Sequence, residues 1–414
     1  MARPTAPRED FRISEVIALS GFVLFFAFNF YKSTMMVEWT TPAINRAITY
    51  LNYLLAISSI VLMDRYSWKE LVLLAAGGAA AVLVTGISDS NVYLVYLLYL
   101  IAFQNIQKEK IARIALIVGV LITLLTVLLS RLGVIENLVY EQADGLKLRF
   151  RESMGFIYPT DFAAHIFYLL LIVFYLTKGK LTPVTGALYL FFAWFVKAKC
   201  DARLSMVMIL IVFAASAFLT LFKRFRIRGL LKWGMILAFP IGSVLTFLLE
   251  WMYGRGMGIA EKLNRVFSDR LMLGLRLLKE HGIPLLGQAI EQHGNGGTLD
   301  SVVQMYGEYS FIDMSFQRIL QMYGLIAFAA LMCFVVYRTK KQIDGGQVIV
   351  PVILTIVTVN SVIDQHYLDF AYNIFLFMLL DRTGVRVITV KELKERLRRK
   401  ARRGLPSVQP PPQG

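Results

Sequence analysis

Residues 111–132 read IARIALIVGVLITLLTVLLSRL. Between Arg113 and Arg131 the block carries no charge. As a helix rising 1.5 Å per residue, it matches the roughly 30 Å apolar thickness of a bilayer. A helix on a soluble protein keeps a charged or polar face for water, and this stretch has no such face. Comparable blocks recur outward in both directions. Twelve transmembrane helices are predicted, at 13–31, 44–63, 70–87, 91–106, 111–132, 160–177, 183–198, 203–222, 230–252, 319–337, 347–363 and 367–381. The whole chain of 414 residues is 57% hydrophobic and 17% charged, with mean hydropathy +0.59. That composition excludes a soluble enzyme and a disordered scaffold. Two cysteines, Cys200 and Cys333, lie in distant apolar blocks and imply no disulfide framework. The fold class expected is all-α, a polytopic integral membrane protein.

An even number of spans puts both termini on one side. Of the 44 Lys and Arg, 28 fall on that side, and the two sides carry net charges of +18 and −2. The excess of basic residues places the termini in the cytoplasm. The first span follows Arg3, Arg8 and Arg12 without a cleavage site, so it reads as a retained anchor. The net charge of +16 therefore sets topology and meets anionic membrane lipids; it is not a nucleic-acid footprint. The expected organisation is 1–252 with nine spans and an outer loop near 133–159. A large extracytoplasmic loop at 253–318, three more spans within 319–381 and a basic cytoplasmic tail at 382–414 complete it. No internal repeat is visible, which weakens a transporter built from duplicated halves.

Basic residues on the outer side run against the charge rule and call for a reason. They gather as Lys147, Arg149 and Arg151, as Lys197, Lys199 and Arg203, and in the long loop. In AWFVKAKCDARLSMVMIL two spans meet with almost no loop, so Lys199, Asp201 and Arg203 sit at the outer apolar boundary. Charges at that depth face a cavity or one another. Either Asp201 pairs Arg203 while the lysines snorkel, or the cluster binds an anion at headgroup level. In EKLNRVFSDRLMLGLRLLKE (261–280) an amphipathic helix is expected, with Lys262, Arg265, Asp269, Arg276 and Lys279 on one charged face. Arg270 instead shares the apolar side with Leu263, Val266, Phe267, Gly274 and Leu277, so it is expected to point into the protein or to lie over headgroups.

Two polar stripes enter the membrane from the same side. Asp161 and His165 are four residues apart, and His366, Asp369 and Asn373 follow at spacings of three and four. Each is either a structural network within the bundle or general-base chemistry. Asp313 sits at the mouth of the tenth span, with Arg318 five residues on. HGNGG at 293–297 lacks the flanking strand and Lys-Ser of a phosphate cradle and reads as a loop tip. Neither an Asp-x-Asp diad nor a zinc-spaced Cys/His set occurs, so no metal and no cofactor are expected.

Several segments resemble the bacterial polysaccharide polymerases of the Wzy type, relatives of the O-antigen ligases. RESMGFIYPTDFAAHI is similar to their Arg-rich Gly-Phe-x-x-Pro approach to the central span. DARLSM resembles the Ser-Arg-type motif after the next hairpin. SDRLMLGLRLLKEHGIPLLGQ resembles the start of their large outer loop and FIDMSFQRILQMYGLI its end; Arg276 and Gly287 keep the Arg, ten residues, Gly spacing. The resemblance implies a helical membrane glycosyltransferase in the bacterial cytoplasmic membrane, independent of metal. Its donor and acceptor would be undecaprenyl-diphosphate-linked oligosaccharides, and a chain-length regulator would be a further partner. Arg203 and Arg270 would hold the diphosphate, helped by Arg276, Lys199, Arg149 and Arg151. Asp313, His366 and Asp161 would serve the acceptor hydroxyl. The ligases carry a His-Asn-type pair where this chain has Asp313 and Met314, which makes transfer to a lipid A core the less favoured chemistry. A ligase acting on another acceptor, a lipid-oligosaccharide flippase, and a sensor or assembly subunit are the competing readings.

Overall fold

The computed structural model describes residues 13–62, 68–144, 147–222, 228–292 and 310–380. The N-terminal arginines, the 293–297 loop tip and the basic tail lie outside these residues. The described residues are about three-quarters helical with almost no strand. The first helices are α1 (Ile13–Tyr31), α2 (Pro42–Val61), α3 (Trp68–Ser88), α4 (Val92–Ala102) and α5 (Lys108–Arg131). A hairpin of β1 (Val139–Asp144) and β2 (Lys147–Glu152) follows, then α6 (Pro159–Leu176), α7 (Pro183–Cys200) and α8 (Arg203–Leu221). The remaining helices are α9 (Gly229–Ile236), α10 (Ala238–Gly254), α11 (Gly258–Val266), α12 (Arg270–His281), α13 (Ser315–Asp344) and α14 (Ile349–Ser361).

Six of these helices are long and apolar enough to cross a membrane, or seven if the bent pair α9 and α10 counts as one span. Exposure supports the reading. On α5 the small buried stripe Ala112, Ala115, Gly119 and Thr123 packs inward. Ile117, Leu121, Leu124 and Leu128 face outward at 55–62% exposure. A helix apolar on its exposed side needs lipid as its solvent. Starts are set by local chemistry: Thr182 and Thr185 form a reciprocal cap ahead of α7, with Pro183 in the first turn. Buried around almost its whole circumference, α6 packs on α5, α7, α8 and α14.

Eleven of the twelve expected segments are helical, and three expectations need correction. The ninth segment, 230–252, is bent by 70° between α9 and α10. Pro240 lacks the N–H that would bond the carbonyl of Ile236, and its ring crowds that carbonyl. The single amphipathic helix over 261–280 is two helices, because Ser268 and Asp269 adopt left-handed φ values of 55° and 64°. Asn264 holds the break: its amide donates to Asp269 at 2.8 Å and its carbonyl accepts from the Met272 N–H at 3.0 Å.

The twelfth segment, 367–381, is no long helix. Residues 362–380 form an almost wholly buried strap with two short 3-10 turns, His366–Leu368 and Phe375–Leu379. Its polar side chains bond their own backbone and so compete with the helix. Asp369 accepts from the Ala371 N–H at 3.1 Å, and Asn373 accepts from the Phe375 N–H at 3.1 Å while donating to the Tyr367 carbonyl at 2.7 Å. Neighbours satisfy the rest: Tyr96 donates to Asn373 O, Arg338 to Leu379 O and Gln342 to Met378 O. Irregular backbone at such depth survives only when it is satisfied inside the protein. Asn373→Ala is expected to lower stability by about 1–3 kcal/mol for the orphaned groups, read as an earlier melting transition in detergent.

A second irregularity sits in α13, which is broken at Gly324 (φ 86°, ψ 167°). Residues 284–288 cross this break. The N–H of Leu325 donates to Pro284 O at 2.9 Å, that of Ile326 to Leu285 O at 3.2 Å, and that of Gln288 to Met322 O at 3.0 Å. The Pro-Leu-Leu-Gly stretch therefore replaces the helix bonds that the break removes.

Candidate functional site

The left-handed break before α12 delivers Arg270 to the first turn of that helix, whose buried stripe is Leu271, Gly274 and Leu277. Helix α12 seats closely on α10 and α13. Gln317 donates to Gly274 O at 2.7 Å and Gln321 to Leu277 O at 3.0 Å. Anchored in this way, Arg270 reaches the strap and donates to the carbonyl of Ile363. Its guanidinium lies 3.7 Å from Asp313 and 3.6 Å from Asp364, all three side chains being less than one-fifth exposed. Asp364 also accepts from Asn360 at 2.8 Å, and its carbonyl accepts from both the hydroxyl and the N–H of Ser315. The start of α13 and the strap are thus fastened around one guanidinium.

Beside them stands His366. Its Nδ1 lies 3.2 Å from Asp369 Oδ2 and its Nε2 4.0 Å from Asp364 Oδ2, so two carboxylates flank the imidazole. The ring stacks on Tyr372 at 3.6 Å. Tyr372 stacks on His165 at 3.9 Å, and His165 on Phe30 at 3.7 Å. Ser33 holds His165 Nε2 at 2.7 Å. This column of four rings ties α1 and α6 to the strap. Asp161, in the first turn of α6, lies within electrostatic range of His366, Asp364, Asp369 and Asp313.

The second cluster lies at the corner between α7 and α8. Asp201, left-handed at φ 45°, turns the chain there. Strand β2 packs against α7, and because strand side chains alternate, Arg149 and Arg151 share one face. Arg149 meets Asp201 at 2.9 Å, Lys197 bonds the same carboxylate, and Arg203, half-exposed, lies 3.8 Å from it. Arg151 donates through Nε to the carbonyl of Cys200 at 3.0 Å. It has no carboxylate within ion-pair distance among the described residues. Burial pulls its pKa below the ordinary arginine value; Asp201 opposes the shift, and Arg270 and Arg149 add to it. Arg151 and Arg270, from segments more than a hundred residues apart, therefore lie within electrostatic range of each other.

Not every residue singled out in the sequence joins this arrangement. Lys199 pairs with Glu152 at 2.8 Å, and Arg276 with Glu280 at 3.8 Å. Neither makes an ion pair with Asp313 or Asp364. Asp364 and Asn264, which position Arg270, were not singled out. Asp364 falls outside the three- and four-residue stripe that links His366 to Asp369 and Asn373. The hairpin left a period-two trace in KLRFRE, the available signal that Arg149 and Arg151 share a face. No group of three or more His, Cys, Asp or Glu side chains among the described residues converges as a metal site. No family model matches the chain, and no significant match was found among curated proteins or solved structures.

Proposed function

We propose that this protein is a membrane glycosyltransferase that extends a polysaccharide. It would move a growing glycan from an undecaprenyl-diphosphate carrier onto the next lipid-linked repeat unit, at the outer face of the bacterial cytoplasmic membrane. The observation that carries the reading is Arg270, seated against Ile363 O, Asp313 and Asp364 and within electrostatic range of Arg151. Two guanidinium groups in mutual range repel, and a diphosphate between them turns that repulsion into attraction, with forked donors suited to phosphate oxygens. Arg149 and Arg203 extend the positive field toward the corner. A twelve-segment topology with both termini cytoplasmic accompanies this reading. It rests on eleven helical segments, the buried strap as the twelfth, and the charge asymmetry of the connecting segments.

In the reaction, the acceptor hydroxyl oxygen bonds to the anomeric carbon as that carbon's bond to the diphosphate oxygen breaks. The electron pair leaves with the lipid diphosphate. Its added charge is what Arg151 and Arg270 stabilise, more strongly in the transition state than in the bound substrate. The hydroxyl proton passes to a neighbouring base, for which Asp313, Asp161 and the His366–Asp369 pair stand ready. Purified protein given lipid-linked repeat units is expected to make a ladder of lengthening glycans. Arg151→Ala is expected to slow the ladder by about 10²–10³-fold, the range for losing one transition-state donor. A single addition without a ladder would indicate a ligase, and lipid translocation without transfer a flippase. An undiminished ladder in Arg151→Ala would remove the anion site.

A further inference from the structure

Helix α10 carries an acid that the proposed chemistry does not use. Glu250 lies four residues before the end of this helix and is 1% exposed. Neither of its carboxyl oxygens has a hydrogen-bond partner, and no cation pairs with it among the described residues. An ionised carboxylate so placed bears its desolvation cost with nothing to offset it. The charges on the elements packed against α10 are engaged elsewhere. Lys232 on α9 pairs with Asp344, Arg270 on α12 with Asp313 and Asp364, and Arg276 with Glu280, while Arg318 on α13 donates to Gln365. Glu261, Lys262 and Arg265 of α11 are exposed, and α14 carries no ionisable side chain.

The hydrogen bonds beside Glu250 all run one way. Gln321 Nε2 donates to Leu277 O at 3.0 Å and to Gly282 O at 3.1 Å. Gln321 Oε1 accepts at 2.8 Å from Gln317 Nε2, which also donates to Gly274 O at 2.7 Å. These two acceptors fix the Gln317 amide, because turning it over would set oxygen against oxygen. Its Oε1 therefore points away from Gln321, and it too is buried without a donor. A methyl group built on Gly274 would press on Glu250 Oε1, Gln317 Oε1 and the Met314 methyl at once, so the two orphaned oxygens share the space over that glycine. With the Met314 methyl closing the rest, six oxygens cannot gather there around a divalent cation. The chain of bonds lacks only its first donor.

We infer that Glu250 is held as the uncharged acid and donates a hydrogen bond from its O–H to Gln317 Oε1, which makes it a positioning residue for Arg270. Protonation turns one carboxyl oxygen into the missing donor and satisfies Gln317. It leaves bare only a neutral carbonyl oxygen, far cheaper to bury than a charge. Gly274 and Gln317 stand four residues after Arg270 and Asp313, so the bond fastens α10, α12 and α13 about one helical turn from that ion pair. The protonation stands apart from the polymerase reading; its consequence for glycan transfer rests on that reading.

Infrared spectroscopy of the purified protein at neutral pH tests this, since a protonated carboxyl group gives a C=O band that carboxylates lack. The band is expected in the unmodified protein, is expected to move when glutamate carries carbon-13 at its side-chain carboxyl, and is expected to vanish in Glu250→Gln. Glu250 is the one buried glutamate among the described residues, so the label reads it without any substitution. Glu250→Leu keeps bulk without a donor and is expected to slow the glycan ladder about 10²-fold, the effect of misplacing a reacting group from a distance. Glu250→Gln restores a donor and is expected to recover most of that loss. Should Glu250→Leu fail to fold, the labelled band still decides. Absence of the band, its survival in Glu250→Gln, or a folded Glu250→Leu with an unslowed ladder would overturn the inference. So would a band abolished when sodium chloride replaces choline chloride, which would put an alkali cation in the proton's place. The band without any ladder from the unmodified protein would keep the acid and sink the polymerase, and a ladder without the band would do the reverse.

Discussion

Arg270→Ala is expected to abolish glycan lengthening and to weaken the fold as well. The guanidinium holds Ile363 O, Asp313 and Asp364 together, so its removal leaves two carboxylates, 14% and 12% exposed, without their shared cation. Breaking a buried pair by deleting one member costs about 3–5 kcal/mol, and the partial exposure here puts the loss toward the lower end. The effect on transfer is separate, about 10²–10³-fold for a lost donor to the leaving group. Arg270→Lys keeps the charge but loses the fork, and is expected to restore more stability than rate. Adding Asp313→Asn and Asp364→Asn to Arg270→Ala removes the orphaned charges. That triple variant should recover its melting temperature without recovering the ladder. Recovery of both would reduce Arg270 to a structural residue.

Gly324→Ala is expected to be the most damaging substitution outside the site. Its backbone region is open almost only to glycine, and forcing another residue into such a region costs about 1–3 kcal/mol. The added methyl would also lie 2.3 Å from the Gly287 nitrogen and 2.7 Å from the Leu285 carbonyl oxygen, backbone atoms that cannot rotate aside. Gly287→Ala meets the reverse contact, at φ 103° and 2.6 Å from Met322 O. Both variants should lose the monodisperse peak in size-exclusion chromatography. Gly78→Ala, with nothing within 4 Å, serves as the neutral control. A normal elution profile for Gly324→Ala would show that the 284–288 crossing can rearrange.

Periodicity decides which parts of this molecule could be read in advance. The block at 111–132 is uniformly apolar, so its helix follows from composition alone. The inward stripe of α12 was readable because Arg270, Gly274 and Leu277 recur at helical spacing. The strap was not, because a buried irregular segment and a buried helix have the same hydropathy. Its Asp369 and Asn373 looked like a helical stripe, yet their side chains cap backbone N–H groups two residues on. That Arg151 comes within electrostatic range of Arg270 depends on strand β2 packing against α7, a long-range choice that no local pattern encodes. Asn264 gave no sign of its part because its work is to stabilise a break between two helices.

The stacked rings bear on how freely this protein could be recombined. Phe30 and Ser33 come from the end of α1 and the turn after it, yet through His165 and Tyr372 they set the seat of His366. The opening helix is therefore not an interchangeable anchor. A chimera that borrows it from another membrane protein would have to import the phenyl ring and the hydroxyl along with it, or leave His165 without its stacking partner and its Nε2 hydrogen bond.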